Sequence, residues 1–185
     1  PNWEEPLVNE IKQLDNNNFY ISGSMIEPNS GHIKFNCGET IELFNEDKLL
    51  KNLKNLQIND HQGSHFAPHC VHKDTWKEVG GFSEEFNPGI GSDPDFNMKL
   101  WNIGCRIFKG LNGFKVYHFG SLTTRKNKNV KQNRGDNTFL LKWGISAGFF
   151  KKHYLKSKST YNGPLNEPKK NFSYLFDLII CKIKL

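Results

Sequence analysis

Arginine is nearly missing from this chain. Arg106, Arg125 and Arg134 are the only three among 25 basic residues, the rest being lysine. Nucleic-acid binders lean on arginine and interleave aromatics with their basic stretches. Neither trait is present, so no nucleic acid is expected as a partner. Cysteine is also sparse: Cys37, Cys70, Cys105 and Cys181 are widely spaced and form no C-x-x-C pair. That pattern argues against a paired-thiolate zinc site and against a disulfide-dense module. Reduced thiols in a cytoplasmic setting are the corresponding expectation. No stretch approaches the roughly 18 consecutive apolar residues of a membrane-spanning helix, and no internal repeat is visible. Asp-x-Asp occurs once, at Asp93 and Asp95.

What the chain does have is aromatic bulk. Its 185 residues are only 36% hydrophobic, but 15 Phe, 5 Tyr and 4 Trp give large burial per residue. A single globular domain with a substantial core follows. The net charge of +6 suits an anionic ligand such as a phosphate, or an anionic membrane surface.

Periodicity divides the chain into alternating elements. Leu7, Ile11 and Leu14 are spaced for a short amphipathic helix, and the run Asp15–Asn18 is turn-forming. FYISGSMI (19–26) reads as a strand, EPNSGH as a turn, and HIKFNC as a second short strand. Leu49, Leu50, Leu53 and Leu56 mark a surface helix. HFAPHCVH (65–72) is extended, because Pro68 forbids a helix interior. DTWKEVGGF is a short helix capped by Asp74 and stopped by Gly80–Gly81. In GIGSDPDFNMKLWNIG (89–104), Asp93 reads as an N-cap, Pro94 as the first helical residue, and Gly104 as the stop. CRIFKG and FKVYHFG read as two strands joined around LNG. Residues 121–136 are polar and basic, a loop or lid candidate. Residues 137–155 are helical with glycine interruptions. A linker precedes the apolar tail FSYLFDLIICKIKL (172–185), for which packing on the domain is favoured over lying on a membrane.

Four constellations carry chemistry. His61, His65, His69 and His72 have metal-like spacing, but Gly63 and Pro68 break any helix, so a histidine metal site is not expected there. Asp93 and Asp95 stand beside Gly89 and Gly91, which would admit a substrate close to the backbone. A carboxylate at such a helix start can serve as a general base for a hydroxyl nucleophile. His118 ends a strand just before the basic loop. On that loop Thr123, Thr124, Arg125 and Lys126 could grip a phosphate.

The order of these pieces is more specific than any one of them. GGFSEEFNPGIGSDPDFNMKLWNIG followed by KVYHFGSLTTR resembles the C-terminal, acceptor-side half of family-2, GT-A-fold inverting glycosyltransferases. PNWEEPLVNEI looks like the segment that follows that family's metal-binding Asp-x-Asp. The resemblance spans about residues 1–155. It implies an α/β fold, a GT-A-like mixed sheet flanked by helices, here lacking the N-terminal nucleotide-binding half. Residues 156–185 would be a linker and a C-terminal apolar, basic helix.

Carried over residue by residue, the resemblance makes Asp93 the catalytic base. His118 becomes a ligand of a Mn²⁺ or Mg²⁺ ion, and Arg125 and Lys126 contacts of the donor diphosphate. Asp95, Trp76, Phe86 and Gly91 would bind or support the acceptor, with Phe82 close by. The partners implied are a nucleotide-sugar donor and a glycan, lipid-linked or protein acceptor. A separate N-terminal half is a further one, without which transfer is not expected. Peripheral membrane contact through 172–185 completes this set. A reading from another class also fits the residues: a non-catalytic carbohydrate- or polyanion-binding domain, in which Asp93 merely caps a helix.

Overall fold

The computed structural model describes residues 2–63, 68–120 and 134–185. Its centre is the pairing of two long strands, β1 (Phe19–Glu27) and β5 (Ile107–Tyr117), which run parallel. β1 is almost wholly buried, so its alternation does not separate a wet face from a dry one, as expected for a strand covered on both sides. Tyr20 faces the main core with Phe86, Phe96, Leu100, Trp101, Phe108, Phe139, Phe150 and Leu155. Phe19 and Ile21 face a second cluster with Leu7, Leu111 and Phe114 beneath α1 (Glu4–Lys12). Truncating one of the fully buried phenylalanines to alanine would cost about 3–5 kcal/mol.

The described strands form one mixed sheet in the order β2–β1–β5–β3, where β2 is Ile33–Lys34 and β3 is His61–Gln62. β2 is parallel to β1, β3 antiparallel to β5, and β4 (His69–Cys70) pairs antiparallel with β1 at Ile21 and Ser22. Helices flank the sheet: α2 (Glu46–Asn52), α3 (Lys73–Glu78), α4 (Ser92–Asn102), α5 (Gly135–Trp143) and the short α6 (Ala147–Phe149). The α6 turn runs directly into a π-helix, Phe150–Tyr154, and the chain closes with α7 (Phe172–Lys184). The chain is thus α/β with a mixed sheet, as the sequence implied.

Three local expectations are corrected. The two strands foreseen on either side of LNG are one continuous strand. β1 pairs Gly23 with Leu111 and then Ser24 with Lys115, so residues 112–114 bulge out of β5 rather than turning it back. The bulge is held from afar: Asp60 accepts from the Asn112 amide at 2.8 Å, and Asn112 Oδ1 accepts from the Ile58 amide at 3.1 Å. Next, α4 begins before Asp93. Gly91 is its N-cap residue at φ 88°, and no side chain caps it. A Cβ on Gly91 would stand 2.8 Å from the Phe86 ring and 2.9 Å from the Gly135 carbonyl oxygen. Only glycine fits there, in a left-handed conformation that L side chains rarely adopt. Asp93 is therefore inside the first turn, where its charge still suits the helix dipole. Finally, α3 is capped by His72, whose Nδ1 accepts from the Asp74 amide at 3.3 Å, and not by Asp74.

Residues 156–171 are docked rather than free. Gln62 donates its amide to Ser159, Tyr161 to Asp60 and Leu165 to Arg106, and Leu165 enters the main core. The buried side of α7, Tyr174 and Cys181, joins the same core.

Candidate functional site

In α/β sheets, ligands gather at the carboxyl ends of parallel strands. Here the register pairs Ile26 with Tyr117. The next residue of each strand, Glu27 and His118, therefore lies side by side where the two strands end. The His118 amide donates to the Ile26 carbonyl at 2.9 Å, and its Nδ1 lies 2.5 Å from Glu27 Oε1. Burial would push the Glu27 carboxyl up, but hydrogen bonds from the Ser30 hydroxyl and the His118 ring outweigh it, so the pKa falls below the ordinary value. An imidazole held through Nδ1 by a carboxylate keeps its Nε2 available as a ligand atom, the arrangement common around metal-binding histidines.

A cleft of about 1200 Å³ opens at this point. Glu27, His118 and Asp93 line it together, although they come from β1, the end of β5 and α4. Asp93 is partly buried, and this burial pushes its pKa up to about 6. A carboxylate with that pKa is ionised near neutrality, yet more basic than a solvated one, the combination a general base needs. His32 and His61 also line the cleft, their rings in contact with centroids 4.3 Å apart and planes tilted by 37°. His32 Nδ1 accepts from the Met25 amide at 3.0 Å. Burial, helped by the His32 ring, pushes His61 down to about 4, so this ring is neutral at physiological pH. Its bed is Gly110, where a Cβ would stand 2.0 Å from His61 Nε2.

The opposite rim is cationic, with Lys151, Lys152, Lys156 and Lys158 lining the cleft. Lys152 pairs with Asp177 at 2.6 Å; the other three form no ion pair among the described residues. Lys156 and Lys158 have φ of 50° and 78°, unusual for residues with a side chain. The loop is clamped in this conformation. Ser157 donates from Oγ to the Gly63 carbonyl and from its amide to Lys151, while Ser159 Oγ donates to Lys156. Non-glycine residues held in left-handed conformations cluster at ligand sites, where the surrounding structure over-determines them.

The remaining sequence candidates fall elsewhere. Asp95 is fully buried and faces the core. It accepts from Ser83 Oγ at 2.6 Å and Trp143 Nε1 at 2.8 Å, and pairs with Lys142 Nζ at 2.9 Å. It therefore ties α4 to α5 rather than facing the cleft. Phe86 is fully buried, and Gly91 is packed against it. Trp76 lies on α3 against Phe82 and Phe96, outside the cleft lining. Phe86 and Gly91 thus serve the core and the helix start, and Trp76 sits in a surface aromatic cluster. Arg125, Lys126 and His65 lie outside the described residues. Among the described residues no group of three or more His, Cys, Asp and Glu could hold a metal ion. His118 fits such an ion only as one ligand among others. Glu27 and the lysine rim were missed by sequence reasoning. For Glu27 a signal existed, its place at the end of a strand in an α/β pattern; the lysines looked like solvated helix and loop charges. No family model, no curated protein and no solved structure matches this chain.

Proposed function

We propose that this chain forms the acceptor side of an inverting, nucleotide-sugar-dependent glycosyltransferase with a GT-A-like fold. The observation that carries the reading is the shared cleft of Asp93, with its pKa raised to about 6, and the Glu27-held His118. In the reaction, Asp93 takes the proton of an acceptor hydroxyl as that oxygen attacks the anomeric carbon. The bond from that carbon to the nucleoside diphosphate breaks on the opposite face, and the configuration inverts. Glu27 orients His118, whose Nε2 would supply one ligand to a Mn²⁺ or Mg²⁺ ion. Such an ion, when bound, neutralises the charge that develops on the leaving diphosphate. The lysine rim favours phosphate-bearing substrates in the same cleft. The sole Asp-x-Asp of the sequence is taken up by α4, so the donor-side carboxylates of this reading come from outside these 185 residues.

Asp93→Asn, made in a protein in which this chain is joined by a donor-binding portion, tests the base. Turnover should fall about 10²–10⁴-fold with donor affinity unchanged; retained turnover refutes the assignment. His118→Ala should weaken metal-dependent binding of a nucleoside diphosphate, and an unchanged metal requirement counts against it. The lysine rim also supports a second reading, a non-catalytic polyanion-binding domain. In that case binding of a polyanionic glycan needs no divalent ion and survives Asp93→Asn.

A further inference from the structure

The C-terminal helix α7 has two unlike faces. Tyr174 and Cys181 are buried in the main core, with Leu178 packed beside them. On the other side Phe172, Leu175, Phe176, Ile179 and Ile183 are 83, 48, 55, 58 and 78% exposed. At 3.6 residues per turn these five side chains fall within about 100° of arc, a continuous stripe roughly 20 Å long over the 13 residues of the helix. Phe172 and Phe176 stack on each other along it. Scattered exposed apolar residues are ordinary, but an aligned stripe of this size marks a contact surface.

The charges around the stripe have one sign. Exposed Lys169 and Lys170 precede the helix, and exposed Lys182 and Lys184 lie in its last turn. The one acidic residue of α7, Asp177, is turned away toward the domain, where Lys152 and His153 hold it at 2.6 and 2.7 Å. The exposed face therefore combines bulky apolar side chains, flanking lysines and no carboxylate. Pairing with a second copy of the same stripe would set these lysines against one another. No helix among the described residues is long and apolar enough to cross a membrane. In-plane attachment needs no such length, only an apolar face and flanking cations.

We infer that α7 docks this domain on the surface of an anionic lipid bilayer, with the Phe172–Ile183 stripe at the acyl boundary and Lys169, Lys170, Lys182 and Lys184 on the headgroups. The inference does not depend on the catalytic reading, since none of the residues it places on the bilayer lines the cleft. Binding is measured by co-sedimentation of the full chain with vesicles of phosphatidylcholine alone, and with roughly one-third phosphatidylserine added. The protein should pellet with the anionic vesicles and be released as salt rises. Phe176→Glu with Ile179→Glu alters only exposed positions, so it should leave the thermal transition in place and weaken vesicle binding about tenfold or more. A second variant, Lys182→Glu with Lys184→Glu, should weaken binding to anionic vesicles only. Absence of binding to either vesicle overturns the inference. So does vesicle binding that both variants leave intact, or a concentration-dependent dimer that the Phe176→Glu, Ile179→Glu pair abolishes.

Discussion

Asp93→Asn should make the folded chain more stable, and the gain should depend on pH. The folded-state pKa of Asp93 is about 6, against an ordinary 3.8. Two units correspond to about 3 kcal/mol, at 1.36 kcal/mol each. Burial is the cause, so holding the carboxylate ionised in the cleft is a cost to the native state. The sign follows from proton counting. Between pH 4 and 6 the unfolded chain has lost this proton while the folded chain keeps it. Native stability therefore falls as pH rises through that window. About 1 kcal/mol of the penalty has developed by pH 4.5 and all of it by pH 8, which leaves roughly 2 kcal/mol between the two. Asparagine has nearly the same shape and no charge to desolvate. Urea denaturation of both proteins at pH 4.5 and pH 8 measures the effect, and groups common to both cancel in the comparison. The advantage of Asp93→Asn should grow by about 2 kcal/mol toward pH 8, or about 4–8 °C in Tm for a chain of this size. A gap that stays constant with pH would mean that the carboxylate is solvated, and the physical basis for a raised general base would be lost.

Two residues along, the opposite sign is expected. Asp95→Ala leaves Ser83, Trp143 and Lys142 without their shared acceptor and should destabilise the fold by about 3–5 kcal/mol in the same urea experiment. Lys109 is similarly placed: it is 9% exposed and bridges Glu10 at 2.8 Å and Asp60 at 3.1 Å. Lys109→Ala removes the counter-charge of both carboxylates, of which Asp60 keeps the Asn112 amide, and should cost about 1–3 kcal/mol, with the loss seen as a lower denaturation midpoint. Gly110→Ala puts a methyl group where the His61 ring rests. The ring must leave, so the His61 pKa, followed by NMR titration, should rise from about 4 toward 6.5 as its burial is lost; an unmoved titration would refute the packing of His61 on Gly110.

Much of the chain was legible from local pattern. β1 announced itself through FYISGSMI, α4 through Pro94 and Gly104, and the stop of α3 through Gly80 and Gly81, both at positive φ. Two of the errors share one physical origin, in that a partner remote in sequence took part in the outcome; the third, the α3 cap, moved only from Asp74 to His72. LNG looked like a turn, but Asp60, Ile58 and Gln57 satisfy Asn112 from some fifty residues away, and a bulge results. Asp93 looked like a cap, but Phe86 and the Gly135 carbonyl fix Gly91 in that role. Of the candidate site, Asp93 and His118 were readable from motif order, and the structure brings both to one cleft. The other wall was not readable, since Lys156 and Lys158 reach the cleft through a loop that Ser159 and Thr160 pair with β3.

The π-helix at Phe150–Tyr154 sets the phase of that wall. The Leu155 amide reaches back five residues to the Phe150 carbonyl at 3.1 Å, so the turn holds one residue more than an α-helical turn would. Each residue of an α-helix advances the chain by about 100°. Removing a single residue from this turn would let it close as ordinary α-helix and would rotate everything after it by that angle. Leu155 would leave the core, and the carbonyl that packs against Gly63 would move with it. The lysines at 156 and 158 would then face a different quarter of the surface, with no side chain changed. The electrostatics of the cleft are therefore written in chain length as much as in composition: at this turn an insertion or deletion is a more drastic change than any substitution.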